Sequence, residues 1–408
     1  MNPKRFLIAA VLATAGPAYA APVVTFLPGT PAQVQPAVAE PLPAGGATAM
    51  LGTGRYGHAA STLPDGRVLI AGGNDGTEIL RTAEIYDPAA GAFAATGPML
   101  YRRMYAAAAT VVMADGRVLV SGGCVNLGGS SGGFQVCQGV PHSEIYDPAV
   151  GQFAATGPLA APRNLHTATR LADGRVLVAT GTDSNPADPQ WILVAEVYDP
   201  ASGQFAPTGA VAIGRAYATA TLLADGRVLI AGGQTTGAQA VAAAELYDPA
   251  TGQFSATGSM AIARIAATAT RLPDGRVLIV GGFNGDLEVA VAEVYDPATG
   301  QFSTLAAQPV FPRYYHTATA LPDGRIVFAG GNRNSQPAAP VELYDPARDT
   351  FEVIAELTHP VVFHSAALTG GGDVLIAGGL DAGIVSRPDT QRITVTRTDA
   401  LFADGFEP

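Results

Sequence analysis

The chain has 408 residues, 48% hydrophobic but only 14% charged and 7% aromatic, with 49 Gly and 31 Pro. That composition excludes a disordered chain and a coiled coil. A formal net charge of −11 excludes nonspecific nucleic-acid binding, which needs clustered Lys and Arg. Lys4 is the one lysine, so Schiff-base or phosphate-loop chemistry has no other candidate.

In chain order, Lys4 and Arg5 precede the apolar run Phe6 to Ala15, and Ala18-Tyr19-Ala20 follows with small residues at cleavage spacing. This order predicts a secretory signal peptide over 1–20 and a linker over 21–40. No later stretch is long and apolar enough for a transmembrane helix, so the expected location is secreted or periplasmic. Cys124 and Cys137 flank a Gly/Ser-rich insertion, and in an oxidising compartment they are expected to form a disulfide closing that loop.

A repeat occupies the rest. Asp-Gly-Arg recurs at Asp65, Asp115, Asp173, Asp225, Asp274 and Asp323, each followed by an aliphatic run. A degenerate seventh copy, Gly371-Gly372-Asp373, precedes Val374 to Gly379. The first six units carry Tyr-Asp-Pro at Tyr86, Tyr146, Tyr198, Tyr247, Tyr295 and Tyr344, with a phenylalanine seven residues past each tyrosine. Each unit reads as four short strands: an Ala/Thr-rich strand, the Asp-Gly hairpin turn, a Val/Leu/Ile strand stopped by Gly-Gly, a Glu-x-Tyr strand, and a strand opened by the phenylalanine. Side chains grow from Ala and Thr to Tyr and Phe along the unit, as wedge-shaped sheets converging on an axis require. The prediction is an all-β, seven-bladed β-propeller over 41–399, four antiparallel strands per blade, with a tail over 400–408. The last unit has a third strand over 393–398 and lacks a fourth. The segment Gly46 to Ala49 stands where an outer strand belongs and is expected to close the ring.

The Gly-Gly pair, the tyrosine ahead of the aromatic and a period of about 50 residues resemble the kelch repeat family. The family's frequent outer-strand tryptophan is phenylalanine here, and the one tryptophan, Trp191, falls in a loop.

Function is expected on the face that carries the second-to-third-strand loops and the inter-blade segments, because these vary while the Asp-Gly and Tyr-Asp-Pro turns do not. An arginine precedes the first strand in six units: Arg55, Arg103, Arg163, Arg215, Arg264 and Arg313. Two readings stand. Six arginines at one channel mouth form an anion-attracting ring. Alternatively they pair with the third-strand glutamates Glu84, Glu144, Glu196, Glu245, Glu293 and Glu342, which the seventh unit also lacks. Trp191, with Asn185, Asp188 and Gln190 near it, is either a sugar-stacking platform or a loop anchor. His58, His166, His316 and His364 share one repeat position; His316 and His364, in neighbouring units, are the best candidates for a metal pair.

Arg313-Tyr314-Tyr315-His316 resembles the copper-radical oxidases of the galactose oxidase family. That resemblance implies Tyr315 and His316 as copper ligands and His364 as a third, but neither cysteine lies on an inner strand where the family's cross-linked cofactor needs one. A resemblance to sialic-acid mutarotases implies a carboxylate-binding arginine, Arg313 or Arg163, beside acid–base carboxylates. The sequence reading is an exported, monomeric binding module for a protein or glycan ligand on its variable-loop face. It is expected to need no cofactor, and the alternative is a carbohydrate-active enzyme.

Overall fold

The computed structural model describes residues 49–105, 109–131, 134–183 and 190–395. The protein is all-β, a seven-bladed propeller. In blade one, Ala59–Thr62, Val68–Ala71, Ala83–Asp87 and Ala92–Thr96 pair antiparallel in that order. The innermost strands of the seven blades touch in cyclic order and form the wall of an axial channel.

The size gradient of the repeat explains this closure. Second strands such as Val68–Ala71 and Val228–Ala231 are buried at every position, because both faces of each sheet are covered by neighbouring blades. Consequently there is no single core. One apolar cluster fills each joint between consecutive blades, as when Leu69, Ile85 and Met99 of blade one meet Val118, Tyr146 and Phe153 of blade two. Tyr146 and Phe153 are register partners on facing strands, with ring centroids 4.9 Å apart; the seven-residue spacing is the register of this hairpin. At four joints the tyrosine hydroxyl also meets a threonine of the preceding blade, as in Thr96–Tyr146 at 2.8 Å.

Both invariant turns are local devices. In Asp65-Gly66-Arg67 the carboxylate accepts from the Arg67 backbone N–H and from Nε, while Gly66 takes φ of 86°. These ion pairs are largely exposed and contribute little.

Blade seven shows three strands among the described residues, the third at Thr390–Ile393. That is three residues earlier than the sequence suggested, because Gln391 occupies the register position of the glutamates opposite Ile376. Met50 bridges Asp389, and Leu51 N–H donates to Pro388 O at 2.9 Å. Met99 makes the equivalent bond to Arg81 within blade one. Ala49 and Leu51 are buried in the cluster between blades seven and one. The rest of the expected closing strand, the signal segment, the linker and the 400–408 tail lie outside the described residues. No helix among those described is long and apolar enough to cross a membrane.

Candidate functional site: the axial mouth on the variable-loop face

The six arginines do not form an open ring. Each is at most 1% exposed and hydrogen-bonded to its glutamate, with N–O distances of 2.6 Å for Arg55–Glu84, Arg103–Glu144 and Arg313–Glu342 and 2.8 Å for Arg163–Glu196. Arg215–Glu245 and Arg264–Glu293 complete the set. Each guanidinium also donates to two backbone carbonyls of the blade it enters, Gly281 and Val291 for Arg264. Its own carbonyl accepts from the Gly-Gly turn of the blade it leaves, Gly233 for Arg264. The residue is therefore a clamp: backbone on one blade, side chain in the next. Burial pulls each guanidinium pKa down and the paired glutamate opposes this, so the charge is compensated inside the joint. The anion-ring reading fails for lack of exposure, and the Nη groups of Arg163 and Arg313 are buried and already bonded inside their joints, out of reach of a substrate carboxylate.

The histidines occupy joints too. His58, His316 and His364 are hydrogen-bonded through Nε2 to Ser365, Thr268 and Thr317 of the preceding blade, at 2.7, 2.9 and 3.1 Å. His166 reaches Ser121 at 3.4 Å. Desolvation, followed by the neighbouring arginine, lowers the pKa of His58 and His166 to about 3; burial lowers that of His364 to about 4. His316 is also pushed well down by burial. Each imidazole lies against the first glycine of a Gly-Gly pair; a Cβ on Gly281 would sit 2.7 Å from His316 Cε1.

A feature that the sequence reading missed lies two residues after each clamp and after Val361, which holds that position in unit seven. Gly57, Tyr105, Leu165, Tyr217, Ala266, Tyr315 and Phe363 all have φ between 52° and 61°. Six of these seven are not glycine, and each such residue costs about 1–2 kcal/mol in this region. Their backbones are linked around the axis: Tyr105 N–H donates to Gly57 O, Gly57 to Phe363 O, Tyr315 to Ala266 O and Tyr217 to Leu165 O. The left-handed turn swings the side chain toward the channel. Tyr105, Tyr217, Tyr315 and Phe363 thereby meet at the axis: Tyr315–Phe363 centroids are 4.6 Å apart, Tyr217–Tyr315 5.6 Å and Tyr105–Phe363 6.0 Å. The Tyr217 and Tyr315 hydroxyls are hydrogen-bonded to each other, and burial raises the pKa of both, as it does for Tyr105. These are neutral phenols that stopper the channel.

Around them, one position nearer the clamp, Tyr56, Met104 and Val362 join Ile79, Cys124 and Leu380 in one apolar cluster, and Ile265, Phe283 and Tyr314 form another. Over blades three and four the equivalent residues are the polar Asn164, Thr182 and Gln234, with Ala216 facing Gln234. The Tyr314 hydroxyl and Asn332 Oδ1 are buried at this mouth with no hydrogen-bond partner. Trp191 is half-buried, bridged through its backbone to Thr182, with its Cβ against Gly214, so it anchors its loop. Gln190 N–H donates to Asp183, and Asn185 and Asp188 lie outside the described residues. On the opposite face a groove of about 430 Å³ separates blades two and three, but its arginine, Arg117, is already paired with Asp115.

The Kelch motif matches residues 55–99 and 268–307, which are units one and five. The chain is a seven-bladed β-propeller that carries the Kelch motif in these two units. No curated protein matches its sequence. A solved structure described as a fungal alcohol oxidase of the AA5 family in complex with copper aligns with a TM-score of 0.67 at 17% identity. That alignment covers 87% of this chain and 76% of the oxidase.

Copper ligation as the galactose oxidase resemblance implies does not fit this propeller. His316 and His364 are buried between blades with Nε2 on threonines, and Tyr315 is hydrogen-bonded to Tyr217. Among the described residues no three His, Cys, Asp or Glu side chains converge as a metal site.

Proposed function

We propose that this kelch propeller is an exported binding module that takes a protein or glycan ligand on its variable-loop face. One observation carries the reading. Nine of the ten large hydrophobic side chains exposed among the described residues, including Tyr101, Leu193, Leu287 and Val310, lie on that face; Val150 alone lies on the other. The aromatic stopper at its centre adds a rigid floor, its backbone held by hydrogen bonds between neighbouring blades. Substitution on the two faces tests the reading once a ligand is found by glycan and peptide arrays. Tyr101→Ser and Leu287→Ser should each weaken binding several-fold while Val150→Ser leaves it unchanged, and the reverse pattern would overturn it.

Export is supported by the Lys4-Arg5 and Ala18-Tyr19-Ala20 pattern and by the two cysteines. Cys124 is fully buried at the base of a hairpin, with Cys137 on the facing strand. A disulfide there predicts no titratable thiol in the unreduced, denatured protein; one or two thiols would remove this support. Ring closure by residues 46–49 belongs to the same reading, supported by the Leu51–Pro388 bond. Deleting residues 41–50 should lower the melting temperature sharply, and an unchanged melting point would exclude closure by this segment.

A further inference from the structure

We propose that the joint between blades five and six carries, on the variable-loop face, a binding site for a carboxylate, with Arg333 as its anchor. Four described arginines have no carboxylate partner: Arg81, Arg170, Arg271 and Arg333. The first three are exposed. Arg333 is half-buried and held, with Cζ 5.0 Å from the Phe311 ring centroid. Arg313 lies 6.0 Å from the same ring, so two guanidinium groups flank one phenylalanine. The one carboxylate inside this joint, Glu342, is saturated by Arg313 and by the backbone N–H groups of Val310 and Phe311. Glu288 reaches over from the blade-five loop, but its Oε1 accepts from Asn334 N–H. Arg333 therefore makes no ion pair of its own at the joint and is fixed by stacking, which presents the planar fork of donors that pairs with a carboxylate.

The flanks are apolar and open. Val310 is 54% exposed beside Phe311, and Leu287, 67% exposed, belongs to the loop that Glu288 ties to the Arg333 hairpin. That hairpin turns through Asn334 and Ser335 at φ of 51° and 61°. Two successive left-handed residues form a tight turn that fixes where Arg333 stands. Blade two offers a contrast. The equivalent joint there exposes Leu100 and Tyr101, but its arginine, Arg102, is already neutralised by Glu78 at 2.5 Å.

The inference rests on the variable-loop face being the ligand face, yet it can fail separately. Titration of the full chain with sodium glucuronate, and with an acetylated, amidated glutamate peptide, is followed by the arginine Nε–Hε resonances and by calorimetry; glucose and the glutamine peptide serve as neutral controls. The expected result is a saturable shift at Arg333 with at least one carboxylate, weakened about tenfold or more in Arg333→Gln and partly retained in Arg333→Lys. A response to glucuronate alone identifies a sugar acid, and a response to the peptide alone a protein carboxylate. Equal affinity in wild type and Arg333→Gln, or no response to either carboxylate up to about 10 mM, overturns the site, while array hits that depend on Tyr101 would leave the broader reading standing.

Discussion

Six joints of this ring are clamped by a buried ion pair and one is not. Entering blade seven, Val361 stands in the arginine position and Gln391 in that of the glutamate. Val361 is buried in the cluster between blades six and seven, and its carbonyl still accepts from Gly331. Gln391 keeps the other half of the glutamate's work: Oε1 accepts from His359 N–H and the Thr358 hydroxyl, and Nε2 donates to His359 O. The seventh joint shows that ring geometry needs the backbone bonds and a filled core, not the charges. Losing both charges at once avoids leaving a buried ion without its counterion.

Acid should act first on the joints that hold histidine. His58, His166 and His364 have pKa values near 3 to 4 in the folded protein, against 6.5 when unfolded. The unfolded chain therefore binds more protons below about pH 6.5, and stability falls as pH drops toward the folded values. Each histidine contributes up to about 1.4 kcal/mol per pH unit, so moving from pH 7 to 5 should cost several kcal/mol. Asp65, held low by its hydrogen bond to Arg67, titrates below this window. Denaturant midpoints across the range measure the slope, and His316→Gln should reduce it by about one proton. A flat profile between pH 6.5 and 5 would mean these imidazoles reach water or become protonated in place.

A smaller effect sharpens the comparison of joints. Arg264→Val alone leaves Glu293 buried without its counterion and should cost about 3–5 kcal/mol. The double change Arg264→Val with Glu293→Gln copies the seventh joint and should recover most of that loss. Urea unfolding of wild type, both single variants and the double variant gives the coupling energy. Additive losses would show that the seventh joint depends on something other than the matched pair.

These charges were legible from the repeat because arginine and glutamate vanish from one unit together, and the strands were legible because wedge packing imposes a size gradient. The aromatic stopper was not. Nothing in Arg-Met-Tyr, Arg-Ala-Tyr or Arg-Tyr-Tyr announces that the third residue turns left-handed; that follows from seven backbones converging on an axis and bonding to one another. Arg333 is not legible for a similar reason, since its lack of an ion-pair partner is a property of the assembled joint. The blade-seven third strand was placed late because the sequence offers no Tyr-Asp-Pro there to fix the register.

The smallest expected effect concerns an irregularity the joints explain. Blade three has Thr180 where other blades have the first glycine of the pair, and Thr180 holds φ of 65° with its hydroxyl buried and unpartnered. A β-branched residue in that region is strained. The next unit carries Ala218 in place of a histidine, which spares Thr180 one of two clashes; at Gly122, Gly281, Gly330 and Gly378 a Cβ would meet the facing histidine ring at 2.3–2.8 Å and a backbone carbonyl at 2.3–2.7 Å. Thr180→Gly should therefore stabilise the protein by about 1 kcal/mol. Ala218→His should be strongly destabilising beside Thr180 and far less so beside glycine. A double-mutant cycle on thermal unfolding measures that dependence. Independence of the two substitutions would mean that glycine is placed at these joints by backbone conformation alone, and that the histidine merely fills the space it leaves.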